Sequence, residues 1–132
     1  MADPKPAGQA HVLGTLFLAF GATAGALGAH ALEGILTPDR LDSWATASLY
    51  LLVMGAALVG AQRQQAPPSS RRALQVVAAG TVLFSASIMG LVTLATLDMA
   101  PSLRRVVGPM TPIGGMLMIG GWVVWAWLQR KR

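Results

Sequence analysis

The chain contains no cysteine, so a disulfide framework, a thiolate metal site and thiol chemistry are all excluded. It is short of charge as well. Only 11% of its 132 residues are Asp, Glu, Lys or Arg, where a soluble domain carries about a quarter. What little charge there is stays away from residues 6–32, 43–62, 73–97 and 106–129, which hold none. A soluble helix bundle of this size needs charge along one face of each helix, and these four runs exclude it. They also exclude the intramembrane carboxylate or cation that pumps and transporters place in their interior. Acid pairs, a Ser–His arrangement at a recognisable spacing and a nucleophilic thiol are lacking too, so enzymatic activity is not expected.

What is present is hydrophobic residues, at 54% of the chain. At a rise of about 1.5 Å per residue, about 20 apolar residues cross a hydrocarbon layer of about 30 Å, and each uncharged run is long enough. The expectation is an all-α integral membrane four-helix bundle, with approximate spans 11–33, 38–62, 72–97 and 111–129. Residues 1–132 then form a single transmembrane domain, with a cytoplasmic loop at 63–71 and an outer loop at 98–110. Ala29-His30-Ala31 fits a small-x-small cleavage site, but Asp3 opposes Lys5 and the apolar run is longer than a signal peptide requires. The segment therefore reads as a retained first helix.

Lysines and arginines sort the two sides. Lys5, Arg63, Arg71, Arg72, Arg130, Lys131 and Arg132 share one side, against Arg40, Arg104 and Arg105 on the other. This predicts a cell (inner or plasma) membrane protein with both termini cytoplasmic. The net charge of +5 is thereby explained by topology, and nucleic acid is not an expected partner.

Within the spans, Gly21, Gly25 and Gly28 offer small-xxx-small rows for close helix packing, and Gly34 reads as the stop of helix one. Small residues on several faces predict that this helix is central or lies at an oligomer interface. Thr37-Pro38 and Thr111-Pro112 read as a cap followed by a first-position proline, with Asp39 and Asp42 near the positive end of the second helix. Gly114 and Gly115 are expected to let a neighbouring backbone approach. Trp44, Trp122, Trp125 and Trp127 read as interfacial anchors. Thr81, Ser85, Ser87 and Thr93 are expected to bond back to their own helix.

Several outer residues resemble one family. Gly28-Ala29-His30, Trp44-Ala45-Thr46-Ala47 with Tyr50, Leu83-Phe84-Ser85, and Gly108-Pro109-Met110-Thr111-Pro112-Ile113-Gly114-Gly115 with Gly121-Trp122 carry the resemblance, in order and over nearly the whole chain. The family is the small membrane protein family catalogued as domain of unknown function 423, whose eukaryotic members are called transmembrane protein 256. It implies a four-helix inner or plasma membrane protein and brings no activity. Two departures stand out: Met54 where a His is frequent, and Glu33 where a Lys is frequent. A paired-imidazole haem or metal site is not expected here.

His30 and Glu33, three apart, are the candidates for proton or metal handling, and no resident cofactor or metal is expected. The simpler role for His30 is an interfacial histidine that fixes helix one against a loop. Met116 and Met118 face apart, and Met54 and Met89 read as fillers, so copper handling is disfavoured. The stretch 108–115 lacks the Gly-Lys-Ser/Thr ending of a phosphate loop, and its role reads as mechanical. Arg104 and Arg105 are candidates for a lipid headgroup, or for pairing with Glu33, Asp39, Asp42 and Asp98. The leading expectation is an association or accessory membrane protein, a homo-oligomer or subunit of a larger membrane complex. A small permease, channel or proton/metal handler centred on His30 and Glu33 is the alternative, and a lipid-binding protein the second.

Overall fold

The computed structural model describes residues 8–61 and 68–130. Five α-helices follow one another: α1 (Gln9–Ala26), α2 (Pro38–Ala61), α3 (Pro68–Thr96), the short α4 (Pro101–Val107) and α5 (Met110–Arg130). Four helical stretches are long and apolar enough to cross a bilayer, the last taking in α4 together with α5. No strand occurs among the described residues. The helices run up, down, up and down, because early residues of each long helix meet late residues of the next, as with Gly14 and Gly55, Arg40 and Thr96, or Gly80 and Gly114. We call the end with residues 32–37 and 97–109 the hairpin end.

Local chemistry moves several boundaries from their expected places. α1 does not continue to a glycine stop. It widens at Leu27–Ala31 into a π turn, closed by the Leu32 amide donating to the Leu27 carbonyl at 2.9 Å. No glycine takes a positive φ, so Gly34 is not a left-handed cap. α2 starts as expected, with Pro38 first and the Thr37 carbonyl accepting from the Arg40 and Leu41 amides. α3 begins at Pro68 rather than 72, since proline lacks the N–H that a first helical position leaves free. Of the expected 63–71 loop, residues 63–67 therefore lie outside the described residues and the remainder is helix.

The segment expected as a loop at 98–110 is also structured. After Asp98 and Ala100 at φ 50° and 46°, Pro101 opens α4, and the Gly108 amide closes it on the Arg104 carbonyl at 3.0 Å. α5 then starts at Met110, so Thr111 is not its cap and Pro112 stands third. Proline is tolerated there because amides of the first turn have no helical acceptor.

Two tight helix pairs make the bundle, α1 with α2 and α3 with α5, joined along α2 and α3; α1 and α5 do not meet. Helix one is thus at an edge, not central. Its Gly14, Gly21 and Gly28 recur every seven residues against α2, and Gly114 and Gly121 do the same from α5 against α3. A seven-residue repeat keeps one stripe on the partner in a left-handed crossing. A Cβ on Gly14 would lie 2.7 Å from the Gly55 carbonyl oxygen, and one on Gly80 would lie 2.7 Å from that of Gly114. Backbones this close leave no room for any side chain. Around them the core holds Phe17, Leu58, Leu74, Val77 and Ala78.

Hydroxyls join the pairs. Thr81 and Thr93 bond back to the Val77 and Met89 carbonyls, as expected. Ser85 departs from the expectation and donates across to the Ala47 carbonyl of α2 at 3.0 Å. Ser87 does both, bonding the Phe84 carbonyl and meeting the Thr111 hydroxyl of α5 at 2.7 Å. Removing a bond of this kind costs about 0.6 kcal/mol on average and up to about 1.7. Ser85→Ala is expected near the upper figure, since the serine is fully buried, as measured by unfolding the reconstituted protein by steric trapping.

Candidate functional site

In the hairpin half of the bundle α1 widens. There α2 donates twice to main-chain carbonyls of α1. The Ser48 hydroxyl donates to Gly21 at 2.7 Å, and the Trp44 indole N–H donates to Ala24 at 2.8 Å. Trp44 fits because its neighbour is Gly28: a Cβ there would stand 2.9 Å from the indole Cδ1. The half-buried ring is therefore a strut inside the bundle, its N–H spent on a carbonyl of α1.

Trp44 also divides two clefts, since it lines both. On one side a cleft of about 400 Å³ runs between the π turn and α2, with Glu33 and Asp42 among its lining residues. On the other, a groove of about 520 Å³ lies between α1 and α3 over a floor of α2. Leu16, Phe20 and Leu27 wall it from α1, Val82 and Met89 from α3, and Leu51 sits in the floor.

The structure does not pair His30 with Glu33. Both are exposed, and neither makes a hydrogen bond or ion pair with a described residue. The expected i,i+3 pairing requires α-helical pitch, and the π turn ends at Ala31, after which the chain leaves the helix. His11 lies at the opposite end of α1. Among the described residues no three His, Asp or Glu side chains gather in a way that suits a metal.

Gly21 and Gly114 are packed by neighbouring helices as expected, and Gly25 stands near the Ser48 hydroxyl. Gly115 is not closely approached: a Cβ there would meet only the Phe84 ring edge at 3.9 Å. Gly14, Gly55, Gly80 and Gly121 take the close contacts instead and escaped the sequence reading. The signal was available for two of them, since Gly14 precedes Gly21, and Gly121 follows Gly114, by one heptad.

Trp122 donates to the Met54 sulfur at 3.2 Å and packs against the core, so neither residue is a mere anchor or filler. Trp125 packs edge-on against Trp122 at 5.7 Å, with its own indole nitrogen buried. Trp127, about half exposed, keeps an outward position. Met118 is buried and Met116 exposed, as their spacing predicts. Arg104 and Arg105, in the last turn of α4, form no ion pair with Glu33, Asp39, Asp42 or Asp98.

Comparison with known proteins follows the same outline. Residues 24–115 match the family model described as "Protein of unknown function (DUF423)". A UPF0382 membrane protein of Schizosaccharomyces pombe is 38% identical over 99 residues, covering 74% of this chain and 81% of the relative. A UPF0382 membrane protein of Staphylococcus aureus (strain bovine RF122) is 32% identical over 115 residues, covering 86% and 88%. One of Staphylococcus epidermidis is 33% identical over the same length and shares. No solved structure matches.

Proposed function

The chain belongs to the DUF423 family of membrane proteins, and from that premise we propose that it acts without enzymatic chemistry, by associating within the membrane. The partner is a second copy of the chain or a larger membrane complex. By the distribution of its lysines and arginines it resides in the cell (inner or plasma) membrane with both termini cytoplasmic.

One observation supports association above the rest. Gly60, Gly90 and Gly120 have open space where a Cβ would be, so no described residue closes on them. Glycine in a helix costs about 1 kcal/mol relative to alanine, a cost that close approach by another helix offsets. Ala22 and Ala26 on α1 are likewise exposed, and stand at small-xxx-small spacing from each other. They lie off the stripe spent on α2.

The absence of cysteine makes the test direct, because an introduced thiol is unique in the chain. Gly60→Cys and Gly120→Cys are expected to cross-link in native membranes, to a second copy or to a partner of defined mass. A thiol at Ala47, buried against α3, is expected to give monomer only. Monomer at all three positions, with a monomeric mass in native detergent, would end this reading.

A further inference from the structure

We infer that the groove between α1 and α3 is a seat for one phospholipid, with an acyl chain along the groove and the phosphate on Arg40. The inference does not depend on association between chains.

The groove's polar lining atoms are already used. Thr23 bonds its own Ala19 carbonyl, Ser85 bonds Ala47, and the Trp44 indole N–H bonds Ala24. What remains facing the groove is hydrocarbon, from Leu16, Phe20, Leu27, Val82, Ala86 and Met89. From Leu16 to Leu27 the wall runs about 16 Å at 1.5 Å per residue, a length suited to an extended chain.

The volume argues for a chain instead of a helix. Both walls rest on α2, and α1 also meets α3 directly, with the Gln75 amide donating to Gln9 at 2.8 Å beyond the groove's closed end. A helix about 10–12 Å across would fill roughly 1,500 Å³ over the same length of about 16 Å, well beyond the groove's volume of about 520 Å³, whereas a single acyl chain fits.

The groove's hairpin end supplies the charge. Positions 40, 44, 47 and 51 lie on one face of α2, since they are three or four apart. Trp44 and Leu51 line the groove, Ala47 faces α3, and Arg40 stands one turn beyond Trp44 toward the hairpin end. Its guanidinium leans across to α3, where the Thr96 hydroxyl accepts at 3.5 Å. No described carboxylate pairs with it, although Asp39 and Asp42 are close in sequence, because they lie on other faces of α2. A half-buried arginine with donors to spare, above a wholly apolar groove, matches an anionic headgroup above an acyl chain.

The test reconstitutes the full chain in vesicles of mixed phosphatidylglycerol and phosphatidylcholine, extracts it mildly, and counts retained lipid by native mass spectrometry. The wild type is expected to keep one phosphatidylglycerol. Arg40→Gln is expected to lower the retained fraction about tenfold, as loss of a charge-assisted hydrogen bond implies. Ala86→Phe, which fills the groove from a lipid-facing position, is expected to do the same while preserving the elution volume. The double change Arg104→Gln with Arg105→Gln is expected to leave retention intact, and excess inorganic phosphate is expected not to displace the lipid. Unchanged retention in both Arg40→Gln and Ala86→Phe overturns the site. So does loss on Ala86→Phe alone, which would mean that the headgroup is not read, or a dimer that Ala86→Phe dissolves, which would make the occupant a second copy.

Discussion

Gly114→Leu is expected to abolish the folded bundle, while Gly115→Leu, one residue along, is expected to be tolerated. A Cβ on Gly114 would stand 2.5 Å from the Phe84 amide nitrogen and 2.8 Å from the Gly80 carbonyl oxygen. Both are backbone atoms of α3, so no rotamer change relieves the clash and the helices must separate. Overpacking a core by a methyl or more costs about 1–3 kcal/mol. Gly114→Ala belongs at the upper end, and leucine beyond it, against a typical total of about 5–15 kcal/mol. The Gly115 position meets only a ring edge at van der Waals distance. Because each helix satisfies its own backbone in lipid, helix content will not report the damage. The readout is tertiary: a steric-trap unfolding free energy, or the elution profile in mild detergent. Equal loss at both positions would show that the α3–α5 crossing does not depend on this glycine.

Trp44→Ala is expected to be the most damaging single truncation, at about 3–5 kcal/mol, the range for removing a large aromatic from a packed site. It removes the ring seated on Gly28, leaves the Ala24 carbonyl without the indole, and merges the two clefts that the ring divides. Trp44→Phe keeps most of the packing and is expected to cost about 1 kcal/mol, for the hydrogen bond alone. Trp127→Ala is expected to change stability by less than about 1 kcal/mol, in keeping with its outward position. The same unfolding assay ranks all three. If Trp127→Ala proved costlier than Trp44→Ala, anchoring at the headgroup layer would outweigh the strut.

These two cases also mark what could be read before the structure. A tryptophan seven residues after a Thr-Pro start sits at interfacial depth, and sequence spacing carries no information on whether its N–H points to headgroups or to a carbonyl of another helix. Gly114 and Gly115 are chemically identical neighbours, yet about 100° around the helix separates a backbone contact from an open side. His30 and Glu33 were paired on the assumption of constant α-helical pitch, and a π turn has no distinctive composition that would have warned against it. Arg40 looked like one more outer charge. Only its place on the same face of α2 as Trp44 and Leu51, reaching Thr96, ties it to a groove.

Four crossings of the membrane follow from the sequence alone, because burying an ionised group in hydrocarbon is costly and uncharged length is countable along a chain. Helix starts at Pro38 and the back-bonded threonines follow as well, since they depend on neighbours within one turn. The pairing of α1 with α2 and of α3 with α5, the choice of glycines at each crossing, and the groove beside Trp44 were decided by the tertiary structure. In lipid one apolar face is worth as much as another until backbones touch, so close packing and hydrogen bonds between helices select among them, and both exist only once the helices have met.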